Sequence, residues 1–96
     1  MTSPHIKSVG YLDVPSDRWD NILEALDIHI DKTRAKAGCL AFNFVPCPEM
    51  PFRLLVSELF RDQASFDAHK KRASNSSWAE ISAGMPRHYK ISEVTE

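Results

Sequence analysis

Hydrophobic and polar positions along the chain switch between two periods. "HIKSVGYLDV" (5–14) steps by two. Ile6, Ser8, Gly10, Leu12 and Val14 fall on one face, and Lys7, Val9, Tyr11 and Asp13 on the other, which predicts a strand. Gly10 in its middle marks a bulge or the close approach of another group. "PSDRWDNILEALDIHIDKTRAKAG" (15–38) changes to steps of three and four. Trp19, Ile22, Leu23, Leu26, Ile30 and Thr33 form one apolar stripe and predict a helix. Ser16 is positioned to cap its first turn. Lys32, Arg34 and Lys36 gather near its C-terminal end, where the helix dipole favours cations, and Gly38 follows as a residue that adopts positive φ cheaply.

"CLAFNFV" (39–45) alternates again, with Leu40, Phe42 and Phe44 on one face and Cys39, Ala41, Asn43 and Val45 on the other. The loop "PCPEMP" holds three prolines and cannot continue a ladder. "FRLLVSELF" (52–60) is the next strand, expected to pair antiparallel with the one before it. "RDQASFDAHKKRAS" turns helical, with Asp62 as its cap and Phe66 and His69, three apart, on one side. "NSSWAEISAGM" continues or restarts that helix, with Ser76 or Ser77 as a cap and Trp78, Ile81 and Met85 as its apolar face. Pro86 ends it, and "RHYKISEVTE" (87–96) is a last strand with Tyr89 and Ile91 on one face.

The order strand, helix, strand, strand, broken helix, strand is the split β-α-β layout of an α+β, ferredoxin-like fold, with the whole chain, 1–96, as one domain. Helices cover one face of such a sheet. Yet "RLLVSELF" is apolar on both: Leu54, Val56 and Phe60 on one side, Leu55 and Leu59 on the other. A sheet apolar on both sides needs two covers, and a second copy of the chain is the natural second one, so a homodimer is expected.

Composition narrows the function classes. At 96 residues the chain buries only roughly 60% of its unfolded surface, and association would add to a modest core. A net charge of −1, with both signs interspersed, offers no electrostatic footprint for nucleic acid or an anionic membrane. No apolar run approaches the roughly 18 residues needed to span a bilayer. No basic region followed by an apolar stretch opens the chain, so no signal peptide is visible and a cytoplasmic protein is expected. The two cysteines, Cys39 and Cys47, are too few for a disulfide framework and offer too few ligands for a metal site.

"HIDKTRAKAGCLAFNFV" followed by "FRLLVSELFRDQASFDAHKK" resembles the antibiotic biosynthesis monooxygenase family. The matching features are a helix ending in "TRAKAGCL", an aromatic strand after the Gly-Cys, a Glu in the next strand, and "RDQASFDAH". The resemblance covers residues 5 to 95. It implies a dimeric α+β barrel in which two sheets face each other, and a pocket in each subunit between sheet and helices. Members of that family include oxygenases that act on aromatic polyketides or quinols with O2 and neither metal nor flavin, haem-degrading enzymes, and isomerases of small phosphorylated compounds. Haem-degrading members use a His about ten residues beyond the position of His69 and an Asn in the first strand. Here Ala79 or Glu80 stands at the former, and the first strand has no Asn, so haem degradation is not expected. Some family oxygenases carry Trp where this chain has His69, which counts against a polyketide substrate.

Glu58 and His69 are the candidate catalytic pair. Glu58 shares a face with Leu54, Val56 and Phe60. Under a helical layer its carboxylate loses solvent, which raises the pKa toward that of a base able to deprotonate a phenol or hydroquinone. The electron-rich anion so formed could pass an electron to O2. His69, matching the family's "A-x-x-A-H" position, suits proton transfer, and a nearby carboxylate would favour its imidazolium. Phe42, Phe44, Phe60, Phe66 and Trp78 are the candidate pocket wall for a flat small-molecule substrate. His29 reads as a rim residue beside the apolar stripe, and His88 opens the last strand without an assigned role. Three functions stay open: a cofactor-independent monooxygenase on a small phenol or quinol; an isomerase using the same pair with an anion site drawn from Arg34, Arg53 or Lys70; and a non-catalytic ligand-binding dimer. No metal or other cofactor is expected.

Overall fold

The computed structural model describes residues 4–95. Strand β1 spans His5–Asp13, helix α1 Trp19–Arg34, β2 Cys39–Pro46, β3 Arg53–Phe60, α2 Gln63–Ser74, α3 Ser77–Ser82 and β4 Arg87–Val94. A single 3-10 turn, Ser16–Arg18, leads into α1. The strands form one sheet in the order β2-β3-β1-β4, with every neighbouring pair antiparallel. This is the α+β, ferredoxin-like arrangement expected from the sequence. Glu96, placed in the last strand by its pattern, lies outside the described residues.

The helices lie on one face of the sheet, and the core sits between. Ile6 and Leu12 of β1, Leu54, Val56 and Phe60 of β3, and Phe42 of β2 meet Ile22, Leu26 and Ile30 of α1. Phe66 of α2 and Trp78 of α3 close the layer, and Met85 joins them from the segment before β4: α3 ends at Ser82, short of the Met85 expected on its apolar face and of the Pro86 expected to end it. The second helical segment is two helices because each has its own cap. Asp62 accepts a hydrogen bond from the Ser65 amide at 2.8 Å, and the Ser76 side chain accepts from the Ala79 amide. Ser76 N–H and Oγ–H both point back to the carbonyl of Ala73, ending α2 there.

Three local expectations change. Helix α1 starts at Trp19 without a side-chain cap, because Pro15 and the 3-10 turn take the place that a Ser16 cap would fill. It stops at Arg34, and Gly38 does not adopt positive φ. A Cβ at Gly38 would instead collide with the side chain of Ser65 in α2, so close approach is what calls for glycine here. In β2 the register slips between Cys39 and Ala41. Cys39 pairs with Phe60 and packs against the core, while Leu40, expected to point inward with Phe42, occupies the irregularity and is exposed.

Gly10 pairs with Tyr89 of β4. A Cβ there would meet the His88 carbonyl and lie 2.7 Å from Cδ1 of the Tyr89 ring. The absence of a side chain lets Tyr89 fold over β1, beneath the helices. Ser8 and Phe42 flank Glu58 on either side across the strands, and the Tyr89 ring joins them one step along the sheet.

Candidate functional site

Glu58 sits mid-β3 on the helix-covered face, between the cross-strand partners Phe42 and Ser8, and is 7% exposed. His69, on the inward side of α2, is equally buried, and its Nε2 lies 3.5 Å from Glu58 Oε1. Its ring is held on two sides. Phe60 stacks on it with centroids 4.8 Å apart, and Phe42 meets it edge-on at 5.2 Å.

Burial governs the charge state of the pair. It pushes the Glu58 carboxyl up from 4.5 to about 7. It also pushes the His69 imidazole down to about 4, with His29 and Arg72 adding repulsion. The expectation that the carboxylate would favour an imidazolium therefore does not hold. Desolvation acts on both groups and opposes the separated charges that an ion pair requires. Both groups are shifted toward their uncharged forms, and because they touch, their titration belongs to the pair.

The pair opens on a cavity of about 180 Å³ between the sheet and α3. Phe42, Phe44 and Trp78 line it, as do His29, Tyr89 and Arg87. The aromatic residues named from the sequence thus divide. Phe42, Phe44 and Trp78 face the cavity, whereas Phe60 backs His69 and Phe66 packs behind Phe60 at 5.5 Å. Neither Phe60 nor Phe66 lines this space.

His29 belongs to the site rather than its rim. Its ring stacks on Trp78 and meets Phe42 edge-on at 5.5 Å, and burial pushes its pKa down to about 4. Its spacing carried the signal: it stands three residues after Leu26 and four before Thr33, both on the buried stripe. Thr33 Oγ1 donates to the His29 carbonyl at 2.8 Å. Tyr89, also unassigned from the sequence, turns inward over Gly10, and burial raises its phenol. The signal for it was the glycine opposite.

A second, larger cavity of about 430 Å³ adjoins the first and shares His29, His69 and Ala73 with it. Its other walls include Lys32, Lys36 and Arg72. None of the basic residues considered for an anion site lines either cavity. Arg34 donates to the Phe42 carbonyl and Asn43 Oδ1, Arg53 forms a bidentate pair with Asp13, and Lys70 pairs with Asp67. His88 stacks on Tyr11 on the far face of the sheet. Among the described residues, no group of three or more His, Cys, Asp or Glu side chains is placed to hold a metal ion. No helix among them is long and apolar enough to cross a membrane.

The ferredoxin-like layer is the fold anticipated from the sequence motifs. The chain belongs to the antibiotic biosynthesis monooxygenase family, whose sequence model matches residues 6–80. No functionally curated protein matches it in sequence. Its fold is similar to that of a Nitrosomonas europaea protein named for the same family, at 20% identity over 97% of this chain and 92% of that one, with a TM-score of 0.84. A conserved protein of unknown function from Bacteroides thetaiotaomicron is similar at 15% identity over 95% and 98%, also with a TM-score of 0.84. A Deinococcus radiodurans protein, again named for the family, is similar at 15% identity over 95% and 93%, with a TM-score of 0.78. At such identities the likeness speaks for the fold.

Proposed function

We propose that the protein is a monooxygenase of small phenols or quinols, in which Glu58 is the base and His69 its proton-handling partner, working without metal or flavin. The observation that carries this reading is the 3.5 Å contact between Glu58 and His69 at the wall of an aromatic-lined cavity. A carboxyl with a midpoint near 7 is matched to taking a phenolic proton at neutral pH. Phe42 and Trp78 provide faces against which a flat ring can rest.

The reaction on a hydroquinone balances without an outside reductant. Glu58 takes the hydroxyl proton. The anion passes one electron to O2, and the radical pair combines to form a carbon–oxygen bond. The hydroperoxide loses water as the ring reaches the hydroxyquinone level, with Glu58 returning its proton to the departing oxygen. One atom of O2 ends in the product and the other in water, and the substrate supplies all four electrons. Neutral His69 contributes a ring nitrogen to the hydrogen bonding of the substrate oxygen.

The apolar outer face of the sheet supports a homodimer. Leu55 is 39% exposed and Val45 52%, and no helix among the described residues covers that side. A cytoplasmic location is part of the same reading. The test is O2 uptake by metal-free protein over a panel of hydroquinones and phenols. Turnover that Glu58→Gln abolishes and His69→Ala lowers by about 10²- to 10⁴-fold is the expected result. No uptake with any member of the panel would remove the proposal.

A further inference from the structure

The inner cavity is small for a complete ligand site. Its 180 Å³ falls below the roughly 300–1,000 Å³ usual for ligand pockets, while the adjoining chamber of 430 Å³ falls within that range. The two meet at His29, His69 and Ala73, so the outer chamber lies directly beside the space around Glu58. The chamber differs in chemistry from the aromatic inner space. Lys32 comes from the last turn of α1, Lys36 from just beyond it, and Arg72 from the last turn of α2. No acidic side chain of the described residues lines it.

These cations are also uncommitted. Arg53, Arg61 and Lys70 each have a carboxylate partner, but among the described residues Lys32, Lys36 and Arg72 have none. Their field is felt in the site, for Lys32 acts on His29 and Arg72 on His69. Two helix C-termini end at this chamber, and cations there complement the dipoles. Each terminus supplies only about half a negative charge, however, so three full charges exceed what the two helices need. A net positive, partly enclosed space beside an aromatic one, whose Arg87 is already engaged by the Met85 and Ser82 carbonyls, is what an amphiphilic anion would fit.

We propose that the substrate is an anionic aromatic: a hydroxylated ring seated in the inner cavity that carries a carboxylate or phosphate group held in the outer chamber by Lys32, Lys36 and Arg72. This rests on the inner cavity being the reacting site. Arg72 offers a planar fork for two anion oxygens, and the lysines add point charges on flexible stems.

The test compares equilibrium binding of 2,5-dihydroxybenzoate, the neutral 2,5-dihydroxybenzamide and 4-hydroxyphenyl phosphate to the full chain. At low salt the benzoate is expected to bind about tenfold tighter than the amide, an advantage that shrinks at high salt. The Lys36→Gln/Arg72→Gln double variant should bring that ratio close to one. Lys71→Gln, which removes a charge from α2 outside the chamber, should leave it unchanged. The tighter of the two anionic probes identifies the group as carboxylate or phosphate. Equal affinity for acid and amide, a preference that survives the double variant, or no binding of either anion would overturn the proposal. Oxygen uptake measured in parallel separates the two readings. Charge-dependent binding without uptake removes the oxygenase and keeps the anion chamber; uptake of the neutral amide with no preference for the acid does the reverse.

Discussion

The imidazole of His29 lies nearly parallel to the indole of Trp78, with centroids 5.4 Å apart and 14° between planes. One ring comes from the middle of α1 and the other from the first turn of α3, so the stack ties the two helices together over the inner cavity. It also keeps water from the imidazole. Trp78→Ala should therefore raise the midpoint of His29 from about 4 toward its ordinary value, as followed by imidazole chemical shifts in an NMR titration. A midpoint that stays near 4 in the variant would mean that Trp78 is not what shields the ring.

The Glu58 carboxyl gives stability a pH dependence of defined sign. Its midpoint is higher folded than unfolded, so the unfolded chain ionises first, and stability declines as pH rises from about 4.5 to about 7. Above that range the buried group costs on the order of 3 kcal/mol. Glu58→Gln should accordingly be more stable than wild type at pH 8 and little different at pH 4, as read by urea unfolding at both. An equal gain at the two pH values would contradict a raised carboxyl.

The two inner histidines act in the opposite direction. Both are pushed down to about 4, so the unfolded state binds their protons first, and stability falls as pH drops from about 6.5 to about 4. Relief at Glu58 offsets part of that loss in wild type. Glu58→Gln lacks the relief and should show the steeper acid decline between pH 6.5 and 4.5. Parallel declines in the two proteins would count against this account.

Gly10→Ala should destabilise the fold by about 1–3 kcal/mol, since the new methyl meets the His88 carbonyl and the Tyr89 ring. Tyr89 must move away, and its fluorescence or ring NMR signals should change along with the melting temperature. An unchanged melting temperature would refute the close packing.

The outer sheet face supplies a fourth kind of test. Leu55→Arg puts a charge where an apolar side chain is 39% exposed beside Tyr11, its partner on β1. Analytical ultracentrifugation should give twice the chain mass for wild type and one chain mass for the variant. A wild-type monomer at micromolar concentration would dismiss the paired sheet.

Much of this molecule follows from local pattern. The period-two runs specify four strands, and the three-and-four steps from Trp19 to Thr33 specify α1. Asp62 and Ser76 announce the two later helices, because a short polar side chain before an apolar run satisfies amides that the helix itself cannot. Glu58 and His69 were legible for the same reason: strand alternation and helix spacing both aim a polar group at the apolar side. What the pattern could not supply is anything that depends on how elements meet. The slip beside Cys39, the contact of Ser65 with Gly38, and the tilt of Tyr89 over Gly10 arise between residues far apart in the chain. His29 changed role because α3 brought Trp78 against it. The charge state of the pair was likewise a tertiary matter. From sequence a carboxylate beside an imidazole suggests mutual attraction, but only the packed layer sets how much water each loses, and that loss raises the carboxyl and lowers the imidazole, each toward its uncharged form.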